Sequence, residues 1–216
     1  MKGNYMLILD NISFAYKQEK AVLTKINFKF QDGNVYLLCG KNGIGKTTLI
    51  KIMLGLIKPS SGTVQIPDKY VRSYLPDNNG IYENLTVAQN IKFRLGLYNI
   101  RYSNVKQQVE DWLNLFEISD LINEKINSLS LGTKKKVAII CACIIPSNLL
   151  IMDEPTTGLD ESSRNSFYRL VDQLKDKNKT IICVSHDFSF EGEFQYVRIT
   201  LNELGLHYDV GGEQLL

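Results

Sequence analysis

Residues 40–48 carry the side-chain types that bind a polyphosphate, because three glycines precede or flank a lysine and two threonines. The segment fits the pattern G-x-x-x-x-G-K-[ST], in which glycines turn backbone N–H groups inward around phosphates. Lys46 can reach the β- and γ-phosphates, and the Thr47 hydroxyl can ligate Mg²⁺. The three glycines are Gly40, Gly43 and Gly45. This spacing predicts a nucleoside-triphosphate site.

The flanks of this loop support the prediction. Residues 35–39 are apolar and partly β-branched, which indicates a buried strand. A helix is predicted from Thr47 onward, so its positive N-terminal end would face the phosphates. The order strand, loop, helix is the context in which the pattern is specific for phosphate binding.

A second group of chemically active residues ends the apolar run 149–154. Asp153 and Glu154 follow a predicted strand buried on both faces, and ligands bind at the carboxyl ends of such strands in α/β sheets. Asp153 could hold Mg²⁺, and Glu154 could position or deprotonate an attacking water.

Composition predicts one globular domain covering residues 1–216, of which 44% are hydrophobic and 22% charged. The net charge of +2 is too small to indicate nucleic acid as a partner. The longest apolar run, 137–145, is too short to cross a bilayer. The spacing of the four cysteines fits neither a zinc site nor a disulfide framework, so we expect buried, reduced thiols.

Hydrophobic periodicity divides the chain into parts. Residues 7–30 alternate apolar and polar, which predicts antiparallel strands, and residues 78–145 show helical spacing. Farther on, a strand at 149–152 precedes a helix near 161–174, an alternation typical of a parallel sheet. We therefore predict an α/β fold: a P-loop NTPase core with a mainly parallel sheet, an N-terminal antiparallel β subdomain, and an inserted helical lobe at about 78–145.

The order of these motifs resembles that of the ATP-binding subunit of ABC transporters, over nearly the whole chain. Residues 40–48 resemble Walker A, and residues 149–154 resemble Walker B with its catalytic glutamate. Residues 129–133, Leu-Ser-Leu-Gly-Thr, resemble the signature motif, which is usually Leu-Ser-Gly-Gly-Gln. Residues 158–160 resemble the D-loop, and His186 is similar to the switch histidine.

The resemblance implies an ATP hydrolase with ATP and Mg²⁺ as its cofactors. It implies that the catalytic residues are Glu154, His186 and Lys46. It implies that Mg²⁺ is held by Thr47, Asp153 and Asp77. The implied contacts to ATP within the chain are Tyr16, which would stack on adenine, and Gly40, Asn42, Gly43, Gly45, Lys46, Thr47 and Thr48.

The signature segment also has a physical interpretation, because Ser130 is a good N-cap for the helix predicted before Pro146. A helix N-terminus presents free N–H groups to an anion. The resemblance implies that this end closes over ATP held by a second ATP-binding subunit, most simply an identical chain. The implied contacts to the partner's ATP are Ser130, Gly132, Thr133 and Asp160.

Three positions depart from the family's pattern. Asp77 stands where a glutamine is usual, Leu131 replaces a glycine and Thr133 replaces a glutamine. Leu131 disfavours a left-handed backbone and adds bulk, and Thr133 shortens a donor side chain. We expect hydrolysis to be retained but slowed, since loss of one preorganised donor typically raises a barrier by about 2.7–4 kcal/mol.

Several of these residues also have simpler interpretations. His186 could cap a helix or lie in a loop, and Tyr16 could pack in a hairpin, although the nucleotide roles are favoured for both. The run Lys134, Lys135 and Lys136 is interpreted as a solvated helix face.

The resemblance implies that the chain powers a separate membrane permease, whose cytoplasmic segment would dock near residues 77–85, and that it lies on the inner face of the cell membrane. Residues 74–87 and the Ser-Leu-Gly signature resemble the bacitracin and lantibiotic (peptide antibiotic) exporters. Two alternatives stay open: an ABC-type ATPase that acts on ribosomes or DNA, and a weakly hydrolysing nucleotide-dependent regulator.

Overall fold

The computed structural model describes residues 5–16, 21–175, 177, 179–185 and 195–209. The strands in these residues are β1 (Tyr5–Phe14), β2 (Leu23–Gln31), β3 (Val35–Cys39), β4 (Ser61–Gln65), β5 (Arg72–Leu75), β6 (Leu149–Asp153), β7 (Thr180–Val184), β8 (Val197–Asn202) and β9 (Gly205–Tyr208). The α-helices are α1 (Lys46–Met53), α2 (Val87–Gly96), α3 (Lys106–Leu115), α4 (Leu131–Cys143) and α5 (Glu161–Lys175).

The first sheet is antiparallel and has the order β2-β1-β4. Its pattern follows from the sequence, since β2 alternates apolar and polar residues and buries every second side chain from Ile26 to Phe30. This confirms the predicted antiparallel N-terminal sheet. Strand β9 lies beside β2, so the small sheet covers one edge of the larger sheet.

The larger sheet has the order β5-β6-β7-β3-β8-β9, and all its pairings except β8 with β9 are parallel. Strands β3, β6 and β7 are buried at every position, as expected for strands covered on both faces. The Walker A loop follows β3, and Asp153 ends β6. One strand, β7, separates these two strands in the sheet, so both functional segments reach the same edge.

Alternate side chains of the buried strands enter two separate cores. In β3, Leu37 points to the core shared with the helical lobe, whereas Leu38 points to the core shared with α1 and the antiparallel sheet. Neighbouring residues of β6 and β7 divide in the same way. The sheet is therefore a rigid base on which the loops at its carboxyl edge are held.

The helical lobe consists of α2, α3 and α4, together with short 3₁₀ turns that connect them. Thr86 begins α2 with a capping box, because its hydroxyl accepts the Gln89 N–H and the Gln89 side chain accepts the Thr86 N–H. Trp112, Leu113 and Phe116 pack with α4 in one core. The predicted α/β fold with an inserted helical region is confirmed.

Two strands were not predicted from the sequence. Strands β8 and β9 lie in residues 197–208, where exposed residues such as Leu204 and charged residues interrupt the alternation. The pairing of β8 with β3 depends on contacts distant in sequence, which periodicity does not record, whereas β9 pairs with β8 across a short turn. Across the described part of the chain, helices are either too short or too polar to cross a bilayer.

Candidate active site

The loop between β3 and α1 has a backbone that requires glycine. Gly45 is the N-cap of α1 with φ of 108°, and a Cβ atom there would lie 2.9 Å from Cγ1 of Val22. A Cβ atom on Gly40 would lie 2.7 Å from the Leu201 carbonyl oxygen. No side chain caps the start of α1, so its first N–H groups are available to an anion.

Lys46 lies within this loop and is only 7% exposed. Its Nζ donates to the carbonyl oxygens of Gly40 at 2.7 Å and Lys41 at 3.2 Å. Burial lowers the pKa of the Lys46 ammonium, while the carboxylates of Glu154 and Asp153 act against that shift. The ammonium is therefore held in the loop beside two carboxylates.

Thr47 and Asp153 meet although they are distant in sequence. The Thr47 hydroxyl donates to Oδ2 of Asp153 over 3.1 Å. Burial raises the pKa of Asp153, which is 4% exposed, and the hydrogen bond from Thr47 opposes this shift. A hydroxyl and a carboxylate are hard oxygen ligands of the kind that Mg²⁺ takes alongside phosphate oxygens, so the donor set fits this ion.

Glu154 directly follows β6 and has a left-handed backbone, with φ of 50°. Its N–H donates to the Val184 carbonyl oxygen at 2.9 Å, and the Thr157 hydroxyl donates to its Oε2 at 3.4 Å. The left-handed backbone is unusual for a residue with a Cβ atom, and such conformations concentrate at functional sites. The side chain lines the same cavity as Lys46 and Thr47.

A cavity of about 400 Å³ brings most of the predicted site residues together. Its predicted members are Tyr16, Asn42, Gly43, Gly45, Lys46, Thr47, Thr48, Asp77, Asp153 and Glu154, and Val22 also lines it. Sequence reasoning did not select Val22, since an isolated valine carries no chemical signal.

Tyr16 lies at the mouth of this cavity and is 43% exposed. Its hydroxyl is 3.1 Å from the Thr48 hydroxyl, and its ring packs edge-to-face on Phe14 with centroids 4.8 Å apart. The contact with Phe14 holds the ring in place, and an aromatic ring so held could stack on a nucleobase.

The signature residues lie outside the cavity, at the start of α4. The Ser130 hydroxyl accepts the Thr133 N–H at 3.1 Å and is 2.9 Å from the Thr133 hydroxyl, so Ser130 caps the helix. Leu131 is the first helical residue and is 79% exposed. Leu131 meets no conflict with its backbone, because a right-handed helix begins at that residue.

Asp160 lies just before α5, and its carboxylate accepts the Ser163 N–H at 2.8 Å. Hydrogen bonds from Ser163 lower the pKa of Asp160. Asp160 therefore caps α5, a structural task that its position in the D-loop-like segment did not predict. Gly132 lies close by, with its ideal Cβ position 3.1 Å from the Gly158 carbonyl oxygen. His186 lies outside the described residues.

The lysine run does not form the solvated face that was expected. Lys134 forms an ion pair with Glu83 at 2.8 Å, and Lys136 donates to the Phe116 carbonyl oxygen at 3.2 Å. Lys135 is buried and faces the active-site loops. Its spacing of four and seven residues from buried Ile139 and Ala142 was the signal that could have placed it on the inner face.

Comparisons with known proteins agree with this geometry. Residues 23–157 match the family described as ABC transporter. An uncharacterized ABC transporter ATP-binding protein of Methanocaldococcus jannaschii is 34% identical over 79% of this chain, which spans 64% of that protein's length. A solved structure of an ATP binding subunit of an ABC transporter has a TM-score of 0.83 at 25% identity, over 91% of this chain and 86% of its own.

Two further relatives carry different descriptions, one of zinc import and one of linearmycin resistance. The zinc import ATP-binding protein ZnuC of Buchnera aphidicola is 32% identical over 84% of this chain and 74% of its own length. The linearmycin resistance ATP-binding protein LnrL of Bacillus subtilis is 31% identical over 95% of this chain and 69% of its own length.

Proposed function

The chain belongs to the ABC transporter family, whose ATP-binding subunits hydrolyse ATP with Mg²⁺, and from this we propose that it dimerises on ATP and drives a separate membrane permease. The observation that carries the proposal is the shared cavity, where the phosphate loop, Asp153 and Glu154 converge. Such a site performs hydrolysis mainly by positioning and by electrostatic stabilisation.

Each group in the cavity has a proposed task. The N–H groups at the start of α1 bind phosphate oxygens, and Lys46 exchanges its loop carbonyls for the more strongly accepting β- and γ-phosphates. Thr47 and Asp153 would hold Mg²⁺, which would neutralise phosphate charge. Glu154 accepts a hydrogen bond from the attacking water, and Asp77 approaches the same ion or water. His186 keeps its proposed role near the γ-phosphate.

The signature end of α4 supports the proposal of a dimer. Ser130, Gly132 and Thr133 do not line the chain's own cavity, yet they lie at a helix N-terminus, which favours an anion. Leu131 exposes a large apolar side chain beside them. We infer that these residues complete the cavity of a second, identical chain, in a two-fold arrangement.

A groove of about 350 Å³ supports docking of the permease. It runs between β5 and α2, and Pro76, Gly80 and Tyr98 line it together with Arg72 and Arg94. The Arg94 guanidinium group donates to the Tyr74 carbonyl oxygen over a long distance of 3.5 Å. The chemistry fits a cytoplasmic segment with apolar side chains and a carboxylate, which would hold this chain on the inner face of the membrane.

The cargo is proposed to be a peptide antibiotic or drug, moved outward. The Ser-Leu-Gly signature and residues 74–87 support this, as does the similarity to the linearmycin resistance protein. Purification of this chain with its membrane partner, followed by ATPase assays, would test it. Stimulation by peptide antibiotics is the expected result, whereas stimulation only by a metal ion such as zinc would contradict it.

Glu154→Gln tests the proposed catalytic cycle. The amide cannot take a proton from water, so hydrolysis should fall by about 10²–10³-fold while ATP still binds. We expect the variant with MgATP to elute as a dimer in size-exclusion chromatography with light scattering.

Glu110→Gln is the matched control, because Glu110 forms an exposed pair with Lys106 in α3, does not line the cavity and should keep wild-type behaviour. Wild-type hydrolysis by the Glu154 variant would refute the role of this carboxylate. Slow hydrolysis without an ATP-dependent dimer would refute the proposed assembly.

A further inference from the structure

Lys135 is a buried cation in the helix that begins with the signature. Its side chain lies one turn into α4, and the residue is only 5% exposed. Lysine is seldom buried unless its ammonium group finds partners. The partners of Lys135 are two main-chain carbonyl oxygens, that of Glu154 at 3.2 Å and that of Asp77 at 3.4 Å.

These two contacts join three separate segments of the site. Asp77 lies two residues after β5, Glu154 lies one residue after β6, and Lys135 belongs to the helical lobe. Hydrogen bonds from one ammonium group therefore fix both loops against α4. A shift of α4 would be transmitted to both.

The contact matters most at Glu154, because its backbone is held in a left-handed conformation. Its N–H donates to the Val184 carbonyl oxygen, and its own carbonyl oxygen accepts from Lys135. With both polar groups of the main chain held, the point from which the Glu154 side chain extends to line the cavity is held as well.

Charge supports the same arrangement. Burial lowers the pKa of the Lys135 ammonium, and the carboxylates of Asp77, Asp153 and Glu154 act against that shift. A second buried lysine, Lys179, instead donates to the carbonyl oxygens of Cys143 and Ile145 at the other end of α4. Lys179 thus stabilises a helix end, whereas Lys135 bonds to the active-site loops.

We propose that Lys135 is a positioning residue for ATP hydrolysis, which holds the main chain of Glu154 and Asp77 against the signature helix. The inference rests on the proposed role of Glu154. It requires that removal of the ammonium group slow the chemical step and leave the binding of ATP nearly unchanged, because Lys135 does not line the cavity.

The test is a double-mutant cycle with Lys135→Met and Glu154→Gln. Single-turnover hydrolysis is measured with radiolabelled ATP and is corrected for the number of ATP-binding sites in each preparation. Lys135→Met should lower the rate by at least about tenfold, as a misplacement near 1 Å does, with the Kd for ATP within about twofold. In the Glu154→Gln background the loss should be clearly smaller, because the part that acts through Glu154 is already absent and only the part that acts through Asp77 remains.

Lys136→Met is the control, since Lys136 bonds to the helical lobe at Phe116 and should leave the rate unchanged. Additive losses in the cycle, or an unchanged rate for Lys135→Met, would overturn the positioning role. A wild-type rate for Glu154→Gln alone would instead overturn the proposed role of Glu154. If Lys135→Met does not fold, Lys135→Leu, which also removes both hydrogen bonds, is measured by the same criteria.

Discussion

At the scale of single residues, three ionisable groups of the site are buried, and burial disfavours their charged forms. Burial raises the pKa of Asp153 and lowers the pKa of Lys46 and of Lys135. Each shift means that the folded chain is less stable with that group ionised than it would be with the group in water. Bound Mg²⁺ and phosphate would offset this cost, so the residues that bind them reduce the stability of the free protein.

Asp153→Asn should therefore stabilise the chain while it impairs catalysis. The amide has nearly the same shape, can still accept from Thr47 and carries no buried charge. We expect the Tm to rise by about 2–4 °C, the shift that about 1 kcal/mol produces in a chain of this size. Mg²⁺-dependent hydrolysis should fall by at least about 100-fold, since a carboxylate ligand is lost. Scanning calorimetry and a Mg²⁺ titration of the ATPase rate measure the two effects.

The difference in stability between Asp153→Asn and the wild type should depend on pH in a definite direction. The pKa of Asp153 in the folded chain lies above its ordinary value of 3.8, so the folded state binds a proton more readily than the unfolded state. The stability advantage of Asp153→Asn should therefore be full at neutral pH. It should shrink as the pH falls through the raised pKa, and a constant or growing advantage would contradict this account.

At the scale of elements, the start of α4 serves two purposes. Ser130 satisfies a free N–H group of the helix, and the same end is proposed to meet the partner's nucleotide. The hydroxyls of Ser130 and Thr133 form a hydrogen bond with each other, so the first turn of α4 is held by contacts between its own side chains. The stability of α4 and the proposed contact with the partner therefore both depend on the Ser130 side chain.

Ser130→Ala should lower the Tm by about 2–4 °C, because loss of an N-cap costs about 1 kcal/mol. In the Glu154→Gln background it should also weaken the ATP-trapped dimer, measured by light scattering across protein concentrations, without a change in ATP binding to the monomer. Ser128→Ala is the control, since the Ser128 hydroxyl bonds only to the Lys125 carbonyl oxygen nearby. Equal dimerisation of the two variants would argue against a partner contact at Ser130.

At the scale of the whole molecule, one core, which the large sheet shares with the helical lobe, buries all four cysteines. Cys39 and Cys183 lie in β3 and β7, and Cys141 and Cys143 lie in α4. Burial raises the pKa of Cys141 and of Cys143 to about 12, and it also raises the pKa of Cys39 and Cys183. The expectation of buried thiols is confirmed.

The native protein should therefore react very slowly with a thiol reagent at pH 8. Only the thiolate is nucleophilic, and burial both suppresses its formation and blocks access to it. All four cysteines should react at once in denaturant. A fast reaction of one thiol in the native state, seen by absorbance of the released chromophore, would show that a core opens locally.

Much of the site was accessible from the sequence because its residues carry strong local signals. Glycine spacing predicted the loop at Gly40 and Gly45, and an apolar run predicted the strand that ends at Asp153. The task of Asp160 as a helix cap was not predicted, because an acidic residue before a helix fits both a cap and a ligand contact. Strand β8 was missed because it pairs with β3, which is distant in sequence, and β9 was missed with it although the two strands form a hairpin.

The sequence by itself determined most of the order of elements, the phosphate loop and the acidic end of β6, because these depend on residue type and short-range spacing. Only the tertiary structure decided that the Thr47 hydroxyl meets Asp153. It also decided that Lys135 is buried and bonds to Glu154 and Asp77, where the sequence had predicted a solvated face. The physical reason is that a parallel sheet sets the distances between its strand ends by pairing across the chain. Packing of α4 against that edge then determines which lysine is buried.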